Sequence, residues 1–375
     1  MPSKHVNFIC IVVLCAAPVA FVMAQESAKP APAQTPQLVD QTRKNIQVLK
    51  GLPESQLFPL MNFVATSLGV GCEYCHVKKP GKNPQTGGDN WVWESDDKPK
   101  KLVGRQMMKM VLEINRTNFD RETSVTCYTC HRGSTVIARL PPLPPKDSVR
   151  ADVALPSAEQ VLAKYFAAIG GKEAAAKFKT TVMKGTVEFD RDPKERNAEI
   201  EVTQKGPDKF LIIRKAPQGV STVAVNGNVG WIKSGTVSRD LSGRDLELTR
   251  RAAAAYYSAT KVVAEPAQMK VLGTEKIGDR EAYVLAFNVD ADTTTKYFFD
   301  TQTGFLLRQL TTTRTLLVPV PEQVEFEDYR DVDGVKLPFT VRSSDTSTFS
   351  TATRRFTEIR HNVPVDDNVF AAAPR

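Results

Sequence analysis

CEYCH, at residues 72–76, and CYTCH, at residues 127–131, share one pattern: two cysteines separated by two residues, with a histidine directly after. The chain has six cysteines, and the other two, Cys10 and Cys15, lie near the N-terminus. An amphipathic segment that carries methionine precedes each stretch, and the first cysteines of the two stretches are 55 residues apart. This recurrence indicates an internal duplication of one structural unit.

The N-terminus predicts export. An apolar run over residues 8–23 has the length of a signal-peptide core, and Val-Met-Ala ends it at Ala24, where small residues mark a cleavage point. We therefore expect residues 1–24 to be a signal peptide that removes the two N-terminal cysteines. Residues 25–37, rich in Ala, Pro and Gln, predict a flexible spacer. The mature protein is expected in the periplasm, soluble or peripheral to the membrane.

Composition divides the remaining chain at a second Pro-rich stretch. Residues 139–156 contain LPPLPPKD and predict a stiff, extended linker. Residues 38–138 are mostly helix and loop in character, whereas residues 157–375 alternate apolar and polar positions, with turn pairs such as Asn226-Gly227 and Asp333-Gly334. The expected fold class is multidomain, with a mainly α and loop domain followed by an α+β domain on an antiparallel sheet.

Three helices are expected from their periodicity and end signals, and a further helical stretch is expected over residues 242–263, between strands of the second domain. The first spans residues 53–68 and the second residues 101–118, while a third, in the second domain, starts at the Ser157 cap and ends at Gly170. Offsets of 4, 3 and 4 place an apolar stripe on the first helix (Leu57, Met61, Val64, Leu68) and on the second (Val103, Met107, Met110, Ile114). Met108 is predicted to point away from the second stripe.

Three chemistries use paired cysteines of this kind. A zinc site takes four ligands from two Cys-x-x-Cys pairs but does not require a histidine after each pair. A redox dithiol needs one pair at the start of a helix in a β-α-β context, which the first domain does not predict. Covalent haem accounts for every feature, because two thiols reach the two vinyl groups of one porphyrin and the adjacent histidine binds its iron. We therefore expect two haem c groups, attached at Cys72, Cys75, Cys127 and Cys130, with His76 and His131 as proximal iron ligands.

The distal ligand of each iron is predicted from the residues that remain. His361 is the one other histidine of the mature chain, and it lies in the second domain, where a solvated or structural role is expected. Methionine is the alternative, and Met ligation raises the reduction potential. Met61 is the predicted distal ligand of the first haem and Met110 of the second, with Met107 as the alternative to Met110. Each methionine could instead fill a gap in the core.

The runs MNFVATSLGVGCEYCH, RQMMKMVLEIN and VTCYTCHRG resemble the tetrahaem cytochrome c subunit of photosynthetic reaction centres, over about residues 40–137. That family repeats a helix, a turn and Cys-x-x-Cys-His, with a helix methionine as sixth ligand of three haems. The resemblance implies this role for Met61 and Met110, and the proximal role for His76 and His131. The chain has two such motifs rather than four and no counterpart of the family's distal histidine, so it resembles a shortened relative.

The second domain is similar to periplasmic lipoprotein-carrier-like domains, in its opening helix and the runs GVSTVAVNGNVGWIKSG and FEDYRDVDGVKLPFTVR. That resemblance implies a curved, half-open antiparallel sheet packed on helices, whose concave apolar face holds a lipid or a segment of a partner. The alternative is a scaffold with a filled core. A large dry cavity would favour the ligand-binding interpretation.

Charge and chemistry together predict a periplasmic dihaem electron carrier rather than a substrate-converting enzyme. The net charge is +8, and residues 25–150 carry 18 Lys and Arg against 12 Asp and Glu, an excess that can steer an acidic redox partner. That partner is expected to be a protein, membrane-associated or free, and no nucleic-acid motif occurs in the sequence. Tyr74, Tyr128, Trp91 and Trp93 are expected against the porphyrins, with Arg132 near a propionate. Two alternatives remain: a haem enzyme or gas sensor with one open iron site, and a haem-carrying module that binds a lipid or partner.

Overall fold

The computed structural model describes residues 37–83, 88–137, 155–171, 173, 177–190, 197–206, 208–235, 237–243, 246, 249–250, 253, 266–347 and 351–371. The expected signal peptide, nearly all of the expected spacer and most of the expected linker lie outside these residues, so these boundaries stay predictions. Within the described residues, no helix is both long enough and apolar enough to span a membrane.

The N-terminal region consists of helices and one β-hairpin. Its elements are α1 (Val39–Thr42), α2 (Glu54–Leu68), a 3₁₀ turn (Cys72–Tyr74), β1 (Val77–Lys82), β2 (Asp89–Val92), α3 (Pro99–Asn118) and α4 (Cys127–His131). β1 and β2 pair antiparallel directly after the first motif. α2 ends where Gly69 takes a left-handed conformation, which glycine adopts without a Cβ clash. Both predicted helices of this region are confirmed, and α3 starts two residues early, at Pro99.

The buried face of α3 differs from the predicted one. Val103, Met107 and Met110 are 47%, 39% and 44% exposed. Met108, which was predicted to point away, packs in a hydrophobic cluster together with Val111. The helix carries two apolar stripes, and a period of 3.6 residues does not say which of the two meets the core. The stripe with Met107 and Met110 is therefore not the side of α3 that packs in this cluster, and its role in binding haem stays a prediction.

The C-terminal region is built on one antiparallel sheet of 13 strands. Its strands are β3 (Thr180–Phe189), β4 (Asn197–Lys205), β5 (Lys209–Ala216), β6 (Gly219–Asn226), β7 (Val229–Ser234), β8 (Val237–Leu241), β9 (Lys270–Ile277), β10 (Arg280–Asn288), β11 (Thr293–Asp300), β12 (Leu306–Arg314), β13 (Pro319–Val332), β14 (Val335–Asp345) and β15 (Ala352–His361). Strands β3 to β8 run outward to one edge, β9 begins at the other edge, and β15 returns to pair with β3. The predicted large antiparallel sheet is confirmed.

One helix covers the main core of this sheet. α5 (Ala158–Ile169) begins at Ser157, whose hydroxyl accepts a hydrogen bond from the Gln160 amide, and its Tyr165 is fully buried. The helix ends at Gly170, where a Cβ atom would lie 2.1 Å from the Gly334 carbonyl oxygen. Gly334 in turn belongs to the predicted Asp333-Gly334 turn, whose two residues have φ of 54° and 83° as a type I′ hairpin requires. The end of α5 therefore packs directly on the β13–β14 turn.

The N-terminal region and the sheet share one hydrophobic cluster, here called the shared cluster. Its buried members are Val39, Leu49, Leu52, Leu60, Val111, Leu317, Val318 and Val320. Leu317 and Val318 come from the short connection between β12 and β13, where the Thr315 hydroxyl accepts hydrogen bonds from both of their amides at 3.3 and 3.1 Å. From Gln37 onward the chain forms one compact unit. The sheet region thus supplies side chains that complete the core of the N-terminal region.

The ends of α2 and α4 meet at a backbone contact. The Gly133 amide donates to the Ser67 carbonyl at 2.9 Å, and Ser67 is 1% exposed. A Cβ atom on Gly69 would lie 2.2 Å from the Gly133 carbonyl oxygen. The first motif begins three residues after Gly69, and the second ends two residues before Gly133. We call this contact the motif junction, because it holds the two motifs side by side.

We expect Leu317→Ala to lower the free energy of unfolding by about 2–5 kcal/mol, because it opens a cavity in the shared cluster. Leu316→Ala is the matched control: it removes the same atoms from the neighbouring residue, which is 47% exposed, and should cost at most about 0.5 kcal/mol. Urea denaturation followed by far-UV circular dichroism measures both. Equal losses in the two variants would contradict the insertion of Leu317.

Gly69→Ala tests the motif junction. The new methyl group meets the Gly133 carbonyl, and the residue must also keep a φ of 65°, which costs a non-glycine residue about 1–2 kcal/mol. Gly81→Ala is the control for backbone strain alone, since Gly81 has φ of 81° with no atom within 4 Å of the added Cβ. We expect Gly69→Ala to lower the urea midpoint clearly more than Gly81→Ala does. Matching midpoints would show that the close approach is unimportant.

Candidate functional site

The four cysteines of the two motifs differ in their exposure. Cys72, Cys75 and Cys127 are half-buried and Cys130 is exposed. Burial raises the pKa of Cys75 and of Cys127, whereas a redox dithiol depends on a lowered thiol pKa. Across the described part of the chain, no three His, Cys, Asp or Glu side chains converge as a metal cluster. Two separate Cys-x-x-Cys pairs, each followed by a histidine, fit two covalent haem attachments.

Aromatic side chains surround the histidine of the first motif. The Trp93 ring meets the His76 imidazole edge to face, with ring centroids 5.1 Å apart. Trp91 stacks on Trp93 at 4.8 Å, and Phe58 of α2 meets the Trp93 ring at 6.0 Å. The β1–β2 hairpin and the segment after it therefore place both tryptophans beside His76, at the site where the sequence predicted porphyrin contacts.

His76 is half-buried and fits a metal ligand. Its Nδ1 atom is buried without a hydrogen-bond partner among the described residues. Burial lowers the pKa of His76, and Lys101 lowers it further, so the imidazole is neutral at pH 7. Neutral imidazole is the form that binds metal ions. These features make His76 a fitting proximal ligand for a haem attached at Cys72 and Cys75.

A charged network anchors α3 beside this histidine. Lys101 Nζ donates to the carbonyls of Trp93 at 2.9 Å and Ser95 at 2.7 Å, and lies 3.1 Å from Asp96 Oδ1. Arg105 Nη1 lies 2.9 Å from Asp96 Oδ2. Arg105 above all, with Asn45 and Lys101, holds the pKa of Asp96 well below its usual range. These residues carry no signal in the sequence, since their spacing resembles that of any solvated helix start.

The second motif is positioned by a buried amide. Asn115 of α3 is 6% exposed, and its side chain both donates to the Val125 carbonyl at 2.8 Å and accepts from the Val125 amide at 2.9 Å. His131 Nδ1 lies 3.0 Å from the Ser134 carbonyl oxygen. A carbonyl only accepts, so Nδ1 carries the proton and the Nε2 lone pair is left for a metal. His131 is thus oriented as a proximal ligand.

The candidate distal ligands differ in their surroundings. Met61 is half-buried and packs against the shared cluster, as Cys127 does. Met107 and Met110 are exposed on α3, whereas Met108 is packed inward. Ligation by Met61 and by Met110 or Met107 stays a prediction.

His361 has a structural environment on the sheet. Its ring stacks on Phe178 with centroids 3.5 Å apart, and its Nδ1 lies 3.1 Å from the Thr181 hydroxyl. Burial lowers its pKa. His361 therefore packs against residues at the start of β3, in keeping with the structural role expected for it.

Solved structures similar to this chain share little sequence with it. A DUF1329 family protein from Desulfovibrio piger matches at a TM-score of 0.39 and 15% identity, covering 56% of this chain and 97% of that one. A LolA superfamily protein from Nitrosomonas europaea matches at a TM-score of 0.38 and 11% identity, covering 58% and 98%.

Curated relatives match part of the chain. The photosynthetic reaction center cytochrome c subunit of Thermochromatium tepidum is 39% identical over 111 residues, which cover 28% of this chain and 24% of that protein. The corresponding subunit of Rubrivivax gelatinosus is 32% identical over 126 residues, which cover 32% of this chain and 28% of that protein. Cytochrome c-554 of Chloroflexus aurantiacus is 32% identical over 96 residues, which cover 24% of this chain and 20% of that protein. The chain spans about a quarter of the length of these relatives.

A family model confirms the resemblance that the two motifs predicted. The model described as photosynthetic reaction centre cytochrome C subunit matches residues 17–159, which include both Cys-x-x-Cys-His motifs and the helices before them. By this match, residues 17–159 are related in sequence to the photosynthetic reaction centre cytochrome c subunit family.

Proposed function

We propose that this protein is an exported dihaem c-type cytochrome that carries electrons between redox partner proteins in the periplasm. The motif junction is the observation that carries the proposal. The Ser67–Gly133 hydrogen bond of 2.9 Å joins the end of the helix before the first haem-attachment sequence to the turn after the second. Two redox groups held side by side are the arrangement that passes an electron onward within a single protein.

The chain's own residues would hold and tune the haems. Cys72 and Cys75 would hold one haem and Cys127 and Cys130 the other, and the histidine after each pair would be an iron ligand. Met61 and Met110, with Met107 as the alternative to Met110, would be the second iron ligands and would favour the reduced state. Haem supplies one-electron chemistry at the iron when bound, and the protein provides orientation and exclusion of water.

The sheet region supports a scaffold role more than a carrier role. A cavity of about 300 Å³ lies between α5 and the sheet, and Gln160, Lys164 and Asp300 contribute polar and charged walls. This volume is at the lower limit for a small-molecule pocket, and the cavity is not the large dry space that lipid binding predicts. The Leu317–Val318 connection instead stabilises the haem region. Binding of an apolar ligand by the sheet stays a second, weaker proposal.

Haem content tests the proposal. The full chain, matured in cells that attach haem c, should carry two haems, as measured by the pyridine haemochrome spectrum against protein concentration. Cys72→Ala with Cys75→Ala should leave one haem, and Cys127→Ala with Cys130→Ala should leave the other. Wild-type protein with no covalent haem, or with zinc in its place, would overturn the proposal.

Ligand state separates an electron carrier from an enzyme or sensor. We expect two six-coordinate, low-spin haems, and Met110→Leu should convert one of them to a high-spin form that binds carbon monoxide. Met108→Leu is the matched control, since Met108 packs in the core of the same helix. If Met110→Leu changes nothing and Met107→Leu does, the ligand is Met107. A high-spin haem in the wild-type protein would favour catalysis or sensing.

A further inference from the structure

Two cationic side chains are buried next to the first motif. The side chains of Lys101 and Arg105 are 11% and 12% exposed. Lys101 Nζ donates to the Trp93 carbonyl at 2.9 Å, and the ring of the same tryptophan contacts the His76 imidazole. A single residue, Trp93, therefore touches both the buried ammonium group and the predicted proximal ligand.

The buried charge at this place is positive. Asp96 is the carboxylate that pairs with both cations, at 3.1 Å from Lys101 Nζ and 2.9 Å from Arg105 Nη1. One ionised carboxylate against two cations leaves one net positive charge. Lys98, which donates to the Glu73 carbonyl, adds a further cation.

The other carboxylates nearby act from the surface. Glu73, Glu94 and Asp97 are all exposed, so water and salt screen their charges. Buried cations are screened far less than exposed anions. The field of the buried cations therefore outweighs that of the exposed carboxylates around His76.

The second motif has a different setting. Arg132, which follows His131 directly, is exposed, and His131 interacts instead with the neutral Ser134 carbonyl. Its cysteine pair is also more open, since Cys130 is exposed. A charge near this motif is thus screened by water to a greater extent.

We propose that Lys101 and Arg105 raise the reduction potential of the haem held by His76. Oxidised iron carries one more positive charge than reduced iron, so a buried positive charge disfavours the oxidised state. The electron comes from the redox partner protein and stays on the iron, and no bond or proton changes place. This inference rests on the proposed function, because it requires haem attached at Cys72 and Cys75.

A redox titration of the full haem-loaded chain, followed by its visible spectrum, tests the proposal. Lys101→Gln keeps a hydrogen-bond donor for the two carbonyls and removes the charge, so it should lower one of the two midpoint potentials and leave the other in place. Asp96→Asn removes the anion that pairs with both cations and should raise that same potential. Lys109→Gln, an exposed lysine of the same helix, is the matched control and should move neither.

The opposite signs of two neighbouring variants separate electrostatics from damage. If the variants only disturbed the packing of the site, Lys101→Gln and Asp96→Asn would shift the potential in the same direction, and that result would overturn the proposal. An unchanged potential in Lys101→Gln would also overturn it. Repeating the titration with Cys127→Ala and Cys130→Ala assigns the shifted haem, since the remaining one is held by His76. The haem content of the same samples tests the proposed function separately. A failure of the proposed function can therefore be told apart from a failure of the proposed effect on the potential.

Discussion

The hydrogen bond from the Gly133 amide to the Ser67 carbonyl is the contact on which the arrangement of the site depends. It requires a glycine at position 69, because Gly69 needs its left-handed φ to end α2 and any Cβ there would meet the Gly133 carbonyl. The contact joins the end of one helix–motif unit to the end of the other. An internal duplication in sequence thereby becomes a paired site in space.

The hydrophobic core of the N-terminal region, which carries both motifs, is completed by residues of the sheet region. Leu317 and Val318 are fully buried among residues of α1, α2 and α3, although they lie about 200 residues later in the chain. The flanking strands β12 and β13 pair with each other inside the 13-strand sheet. The core of the N-terminal region therefore depends on long-range contacts, which form late in folding because they close long loops.

The two histidines differ although their motifs are nearly alike. His76 is half-buried among tryptophans and two buried cations, whereas His131 bonds a backbone carbonyl in a more open turn. Burial decides how strongly a charge acts, since the same charge is screened in water and not in the interior. Two nearly equivalent sequence motifs thus occupy unequal electrostatic sites.

The sequence by itself determined the features that local chemistry controls. The motif spacing pointed to haem, Gly69 and Ser157 marked helix ends, the Asp333-Gly334 turn marked a hairpin, and strand alternation predicted the sheet. Tertiary structure decided which stripe of α3 is buried, that a connection of the sheet completes the N-terminal core, and that Lys101 and Asp96 meet beside His76. Caps and turns depend on residues a few positions apart, whereas burial and ion pairing depend on segments that only folding brings together.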